Sequence, residues 1–384
     1  MNLPIHPSAQ ISFPTIDAAI DSALASRRLV GAVVMIARDG EIVYRRAAGL
    51  ADREAGLMTQ ENTIFRLASI TKPIVTIAAM RLIEQGRIDL DDPVTKWLPD
   101  FRPRLEDGRE PAILIRHLLT HTSGLSYCFH LEEGPYVQAG VSDGVDQPGL
   151  SLDENLRRIA SVPLLFAPGT GWQYSVSMDV LGGVIEKETG KRLGEAVVEL
   201  VMRPLGLSDT GFTVTDRSRL AAPYVDVSPE PKRMGETEKV PVLTGTVTFA
   251  PDRIFNPASF HSGGGGMAGT ASDVLTVLEA IRKGGAPLLS EKTVGAMMTN
   301  QIGDLLEPTR PGFGFGFGWA IVRDPAKAGL PVSPGSLQWG GVYGHHWFMD
   351  LTRKVTLVGL TNTTLEGMSG QFTLDLKKAV AADI

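Results

Sequence analysis

Segments rich in β-branched residues lie near both ends of the chain and predict strands. Residues 29–37 end in the turn signal Arg38-Asp39-Gly40, and residues 41–47 follow, so together they predict a β-hairpin. Three segments towards the C-terminus also have strand character, namely residues 317–322, 344–351 and 354–361. We therefore expect one sheet to which both ends of the chain contribute.

Apolar residues at helical spacing occur before the hairpin, in the middle of the chain and at the C-terminus. The segments with this spacing are residues 16–26, 115–119, 152–160, 180–189 and 371–382. Because 384 residues exceed the length at which one core stops growing, we expect two lobes with a cleft between them. The predicted fold is of the α/β (α+β) class. Residues 1–100 and 255–384 form the lobe with the sheet, and residues 101–254 form an inserted, mostly helical lobe.

The composition is typical of a globular protein that binds a small molecule. Hydrophobic residues make up 43% and charged residues 21% of the chain, both near globular averages. The formal net charge is −6, and no segment is rich in lysine or arginine, which disfavours nucleic acid or an anionic membrane as a partner. The composition does not determine the oligomeric state.

Three features favour a cytoplasmic location. The first ten residues lack the charged and apolar segments of a secretory signal, and no run of about 18 apolar residues occurs. The single cysteine, Cys128, cannot form an internal disulfide. Its aromatic neighbours in Tyr127-Cys128-Phe129 indicate a small residue in an apolar setting rather than a reactive thiol.

The strongest chemical signal is a serine at the start of an apolar helix. Residues 69–85 are apolar almost all round, and Gly86 follows as a C-terminal cap. Ser69 and Lys72 are three residues apart, which places both side chains on one helical face. The positive end of the helix dipole and burial both disfavour the ammonium form of Lys72, so its amine could act as a general base. The alternative is a capping serine followed by an accidental lysine.

The sequence around Ser69-Ile-Thr-Lys72 resembles the serine β-lactamase and penicillin-binding-protein superfamily, in particular its class C and esterase branches. Residues 88–99, 115–125 and 166–176 are similar to connecting segments of that superfamily, and the resemblance covers residues 36–360. It implies a serine β-lactamase-like fold, with an antiparallel sheet flanked by helices and an inserted helical lobe. It also implies that Ser69 is the nucleophile and that Tyr174 is a proton shuttle, sharing with Lys72 the proton taken from Ser69.

The C-terminal strand motif departs from the β-lactamase pattern. Trp339-Gly-Gly stands where those families have Lys-Thr-Gly, and Val176 stands where they have asparagine. Both features are similar to the bacterial family VIII carboxylesterases. The glycines permit close backbone approach, so we expect the Val342 N–H to join the Ser69 N–H in an oxyanion hole. The residues expected to line the substrate pocket are Trp339, Gly340 and Gly341, although Trp339 could instead be a buried anchor between sheet and helix.

Three other motifs are weaker candidates for a functional site. Gly140-Val-Ser142-Asp-Gly144 matches a nucleophile elbow, but it lacks the strand before and the helix after, so we interpret it as a loop. His117 and His121 have the spacing of a metal-binding pair without the glutamate of a zinc-protease motif, which favours packing at a helix end. His261-Ser-Gly263 could pass for a variant of the missing strand motif, but residues 263–273 predict a flexible, glycine-rich loop and an N-cap that lead into a helix.

Together these features predict a carboxylesterase that hydrolyses short-chain esters through a serine acyl-enzyme, with no cofactor and no metal implied. Ser69 is the nucleophile, and Lys72 and Tyr174 form the general base. A β-lactamase or penicillin-binding peptidase, an acyltransferase, and a non-catalytic binding protein on the same fold are the alternatives.

Overall fold

The computed structural model describes residues 12–242 and 245–384. The first ten residues, on which the expectation about a secretory signal depends, lie outside this described part. Within it, no helix combines the length and the apolar character that are needed to span a membrane.

One large antiparallel sheet contains strands from both ends of the chain. The strands of the described part are β1 (Gly31–Arg38), β2 (Glu41–Asp52), β3 (Leu57–Met58), β4 (Phe65–Arg66), β5 (Tyr224–Val225), β6 (Lys232–Arg233), β7 (Glu238–Val242), β8 (Gly245–Phe249), β9 (Ala268–Gly269), β10 (Phe313–Phe315), β11 (Ala320–Val322), β12 (Ser336–Gly341), β13 (His345–Asp350) and β14 (Val355–Thr361). Eight of them form the sheet in the order β10-β11-β12-β13-β14-β1-β2-β3, and the others form two-stranded ladders.

Helices surround the sheet and fill the middle of the chain. The α-helices are α1 (Pro14–Ala25), α2 (Thr71–Glu84), α3 (Ile115–Leu119), α4 (Pro135–Gln138), α5 (Leu152–Ala160), α6 (Ser177–Thr189), α7 (Leu193–Val197), α8 (Arg203–Leu205), α9 (Ala271–Arg282), α10 (Glu291–Met297), α11 (Pro325–Ala328), α12 (Thr364–Ser369) and α13 (Gln371–Asp383). A π-helical turn, Val198–Met202, joins α7 to α8.

The predicted hairpin and the predicted joining of the two chain ends are both confirmed. Asp39 and Gly40 have φ angles of 52° and 93°, the left-handed conformation that a tight turn between β1 and β2 requires. On its other side β1 pairs antiparallel with β14, and Ala32 lies opposite Thr361. The N-terminal hairpin and the C-terminal strands therefore share one sheet.

Helices cover both faces of the sheet because the strand side chains alternate between two hydrophobic clusters. Val34 of β1 packs in a cluster with residues of α1 and α13. Val33, its neighbour in the strand, packs in a larger cluster with residues of α2, α6 and α9 on the opposite face. Helix α2, which follows Ser69, is thus buried in the larger of the two clusters.

The segment predicted to be mostly helical contains paired strands as well as helices. Helices α3, α5 and α6 lie where helical spacing predicted them. Strands β7 and β8, with Val240 opposite Val247, were not expected. Charged residues and Pro241 interrupt the apolar pattern of β7, and proline is tolerated there because the two-stranded ladder leaves an open edge. The division into lobes at residues 101 and 254 stays a prediction.

Candidate active site

Ser69 lies at a sharp bend that starts helix α2. The 3₁₀ turn Ala68–Ile70 leads directly into the helix. Ala68 has a φ of 45°, a left-handed conformation that costs a residue other than glycine about 1–3 kcal/mol. Ala68 and Ile70 are buried, whereas Ser69 between them is partly exposed. The strained bend therefore presents the Ser69 side chain from an otherwise buried stretch of chain.

Two side chains contact the hydroxyl of Ser69. Lys72 Nζ donates a hydrogen bond to Ser69 Oγ at 3.1 Å. Tyr174 OH donates another to the same oxygen at 2.7 Å, although it lies 105 residues further along the chain. The structure therefore brings the three residues predicted to be catalytic together around one oxygen atom.

A carbonyl group and two aromatic rings hold Lys72. The side chain is 1% exposed, and its Nζ donates a hydrogen bond of 2.6 Å to the Gly264 carbonyl oxygen. The same nitrogen lies 4.6 Å from the ring centre of Tyr174 and 5.3 Å from that of Tyr127. Electron-rich ring faces attract an ammonium group, whereas burial disfavours it. The carbonyl fixes the direction of the amine and keeps it beside Ser69.

Two histidines hold the backbone and the ring of Tyr174, which lies in the segment before α6. His130 Nε2 lies 2.9 Å from the Tyr174 carbonyl oxygen. The His121 ring packs against the phenol ring at 4.8 Å between centres, and burial lowers the pKa of His121 well below its usual value. Val176 is completely buried. The residue that replaces the asparagine of β-lactamases therefore packs in the core and offers no polar group to a substrate.

Strand β12 brings Trp339 to the catalytic side chains. The indole ring centre lies 5.1 Å from the Tyr174 ring and 5.4 Å from the Phe315 ring. Trp339 is only partly buried. It forms a wall beside Tyr174.

The two glycines after Trp339 face opposite sides of the sheet. A Cβ atom at Gly341 would lie 2.4 Å from the Leu67 carbonyl oxygen, so β12 can approach the turn before Ser69 this closely only with glycine at that position. A Cβ atom at Gly340 would instead lie 2.8 Å from Met368 Cγ. Val342, directly after Gly341, therefore lies near the nucleophile, whereas the predicted pocket role of Gly340 rests on its backbone alone.

The glycine-rich stretch beside Lys72 is a loop that leads into α9, as predicted, but it is closely packed where a flexible loop was expected. Residues 263–265 are buried, and a Cβ atom at Gly263 would lie 2.2 Å from the Met178 carbonyl oxygen. Gly264 supplies the carbonyl that holds Lys72. The run of four glycines could have indicated close backbone contact, because such contact excludes any side chain. No motif in the sequence marked Tyr127.

The side chains of the weaker candidate motifs contact neighbouring residues of the fold. Ser142 lies in a loop as predicted, is completely buried, and donates its hydroxyl hydrogen to Asp146. His117 Nδ1 accepts a hydrogen bond from the Leu114 N–H at 3.1 Å, whereas His121 faces the Tyr174 ring. Among residues 12–242 and 245–384, no cluster of histidine, cysteine and acidic residues could hold a metal ion.

Burial also explains the inertness expected of Cys128. It raises the pKa of the thiol far above the usual value, and the nearby Asp143 adds to this effect. Cys128 Sγ lies 3.1 Å from the Val141 carbonyl oxygen. A thiol in this setting stays protonated and is a poor nucleophile.

Known proteins similar to this chain agree on one family. The β-lactamase family model matches residues 16–382. Esterase EstB from Burkholderia gladioli is 54% identical over 371 residues, which cover 96% of this chain and 94% of that protein. EstCE1, described as a hydrolase with promiscuous acyltransferase activity, has a TM-score of 0.93 and 42% identity over 96% of this chain and 97% of its own. Unliganded simvastatin synthase LovD from Aspergillus terreus has a TM-score of 0.75 and 25% identity over 96% of this chain and 97% of its own.

These likenesses extend over nearly the whole chain and confirm the predicted resemblance, the predicted fold and the expectation of a carboxylic ester hydrolase. The chain belongs to the β-lactamase family, among the esterases of the serine β-lactamase and penicillin-binding-protein superfamily.

Proposed function

We propose that the chain hydrolyses short-chain esters through an acyl-enzyme formed on Ser69. The observation that carries this proposal is the approach of two proton-handling groups to one hydroxyl, with Lys72 Nζ at 3.1 Å and Tyr174 OH at 2.7 Å from Ser69 Oγ. A serine becomes a nucleophile when a base lies within hydrogen-bond reach of its hydroxyl. The partial exposure of Ser69 leaves room for an ester carbonyl to approach.

The proposed reaction has two steps that use the same groups. In the first, Ser69 Oγ attacks the ester carbonyl carbon while its proton passes to the pair formed by Lys72 and Tyr174, and the departing alcohol then takes that proton. In the second, the pair removes a proton from water, the hydroxide attacks the acyl carbonyl, and the proton returns to Ser69 as the carboxylic acid leaves. Both partners contact the same oxygen, so either can take up its proton.

Two backbone N–H groups are suited to stabilise the negative charge that develops on the carbonyl oxygen. Ser69 lies at the start of a helix, where N–H groups point outward with the positive end of the dipole. Val342 follows Gly341, whose backbone lies directly against Leu67. We propose that the Ser69 and Val342 N–H groups form the oxyanion hole.

Aromatic side chains around Ser69 support a small acyl group. Trp339 packs against both Tyr174 and Phe315. Trp172 extends the same group of rings, with its ring centre 5.6 Å from that of Phe315. Rigid, closely packed rings leave little room for a long chain and favour apolar contacts with a short one.

Transfer of the acyl group to an alcohol is a second candidate activity. It differs from hydrolysis only in the molecule that attacks the acyl-enzyme, so the same three side chains serve both reactions. The specific support is the likeness to EstCE1, which is described as a hydrolase with promiscuous acyltransferase activity. Opening of β-lactams is disfavoured, because Trp339 and Val176 replace two polar groups that hold such substrates.

We expect a short neutral ester to be a better substrate than a penicillin or a cephalosporin. Trp339 stands where β-lactamases have a lysine, so a β-lactam carboxylate loses a charge-assisted contact. The lost contact has a free energy of about 1.5–3 kcal/mol, which lowers kcat/KM by about 10- to 100-fold. The measurement is kcat/KM for p-nitrophenyl butyrate, a penicillin and a cephalosporin on one preparation. A faster reaction with either β-lactam ring would contradict the proposed substrate class.

Trp339→Ala should shift the preference towards longer acyl chains. Removal of the indole wall opens space beside Ser69, and a few extra methylene groups then gain contacts. We expect the ratio of kcat/KM for p-nitrophenyl octanoate to that for the acetate to rise about tenfold. Trp97→Ala is the matched control, because Trp97 hydrogen-bonds to Glu188 outside this group of rings. An unchanged ratio in Trp339→Ala would show that Trp339 does not limit chain length.

A further inference from the structure

A buried carboxylate is connected to the amine of Lys72 through one residue, Gly264. Asp179, in the first turn of α6, is completely buried. Its Oδ1 accepts hydrogen bonds from Ser262 Oγ at 2.6 Å and from the Gly264 N–H at 3.3 Å. Gly264 in turn offers its carbonyl oxygen to Lys72 Nζ at 2.6 Å. The position of the amine beside Ser69 therefore depends on a glycine that Asp179 holds.

The second carboxylate oxygen of Asp179 faces the same glycine. Asp179 Oδ2 is buried and has no hydrogen-bond partner within the part of the chain that the structure describes. A Cβ atom at Gly264 would lie 3.0 Å from this oxygen and 2.8 Å from the hydroxyl oxygen of Tyr127. A buried polar atom without a partner costs about 1–3 kcal/mol.

Few of the groups around Lys72 can balance a positive charge on its amine. The groups that face the amine include Tyr127, Tyr174, His121 and Asp179. Burial raises the pKa of Tyr127 and lowers that of His121, so both are neutral in the physiological range.

Asp179 is a carboxyl group that can carry a negative charge towards Lys72. Burial raises its pKa, while the hydrogen bond from Ser262 and the positive charges of Lys72 and Arg253 oppose that rise. The helix N-terminus also favours a carboxylate in the first turn of α6. Asp179 therefore combines a contact that orients the lysine with a charge of the opposite sign.

We propose that Asp179 is a positioning residue for Lys72, which fixes the Gly264 peptide that orients the amine and balances the ammonium formed when Lys72 takes the Ser69 proton. This inference rests on the proposed role of Lys72 as a base. Asp179 acts through Gly264 and touches no substrate.

Asp179→Asn removes the charge but keeps an acceptor oxygen for Ser262 and Gly264. A carboxylate favours the ammonium form of a nearby lysine, so its loss makes the neutral amine available at lower pH. We expect the acidic limb of the kcat/KM profile for p-nitrophenyl acetate to move down by about one pH unit. We also expect kcat at pH 8 to fall about tenfold at nearly constant KM, because no negative charge then balances the ammonium that forms during the reaction.

Asp350→Asn is the matched control, because Asp350 is a buried carboxylate that accepts two backbone hydrogen bonds at the far end of β13. It should lower the melting temperature without moving the pH profile.

An Asp179→Asn profile that coincides with the wild-type profile would overturn the inference. If Asp179→Asn does not fold, Ser262→Ala decides, because it removes the 2.6 Å hydrogen bond and keeps the charge. A change of kcat below about twofold in Ser262→Ala would contradict the positioning role.

Lys72→Arg is measured in the same assay. It distinguishes failure of this inference from failure of the proposed function on which the inference rests. If Lys72→Arg is inactive while Asp179→Asn keeps the wild-type limb, the inference fails and the proposed function stands. If Lys72→Arg keeps its activity, both fail.

Discussion

Ser69→Ala is expected to lower kcat/KM for p-nitrophenyl acetate by at least about 10⁴-fold, the scale seen when a catalytic serine is removed. Neither Lys72 nor Tyr174 can replace the lost oxygen, because both act on the proton of Ser69 and form no bond to the acyl group in the proposed mechanism. Steady-state hydrolysis with purified protein, together with a melting curve to show that the variant is folded, gives the result.

Ser142→Ala is the control for this substitution, because Ser142 belongs to the other serine motif of the chain. Its hydroxyl is buried and bonded to Asp146, so the variant should lose some stability and keep most of its activity. Full activity in Ser69→Ala, or loss of activity in a folded Ser142→Ala, would reverse the assignment of the nucleophile.

Lys72→Arg is expected to reduce kcat by at least about 100-fold, the usual scale for loss of a general base. The guanidinium keeps the positive charge but cannot release its proton, so it cannot accept the proton of Ser69. It is also larger than the amine, which the Gly264 carbonyl and the rings of Tyr127 and Tyr174 enclose. The measurement is kcat for p-nitrophenyl acetate across roughly pH 6–10.

Lys377→Arg provides a matched substitution of a second buried lysine. Lys377 is 9% exposed on α13 and donates to Gln338 Oε1 at 2.8 Å, away from Ser69. Burial lowers the pKa of Lys377 to about 8. The control should keep its rate within a few-fold, so a similar loss in both variants would indicate damage to the fold rather than loss of a base at position 72.

Local patterns in the sequence were sufficient for the elements whose neighbours lie close in the chain. The hairpin over β1 and β2 and helix α13 follow from spacing and turn residues, and the structure has them at nearly the predicted positions. The pair Ser69 and Lys72 was visible for the same reason, since both side chains come from one helical face. Tyr174 was found through the resemblance, because no local rule connects residues 105 positions apart.

Contacts that depend on the tertiary fold left no local signal. Gly264 holds Lys72 from 192 residues away, and its glycine-rich surroundings resemble a flexible loop in sequence although they are packed against Met178. Asp179 looks like an ordinary acidic residue in the first turn of a helix, and only the fold shows that it is buried beside Gly264. The alternating sides of Gly340 and Gly341 likewise required the register of β12.

The most direct test of the central claim is the mass of the protein during turnover. The wild-type protein is mixed with p-nitrophenyl butyrate, quenched in acid within the first turnovers, digested and analysed by mass spectrometry. We predict a butyryl group on the peptide that contains Ser69, formed in step with the burst of p-nitrophenol and absent from Ser69→Ala. Two results would contradict the account. One is a burst of p-nitrophenol with the butyryl group on Ser142. The other is sustained turnover without an acylated serine, under an acid quench that preserves the acyl group of known acyl-enzymes.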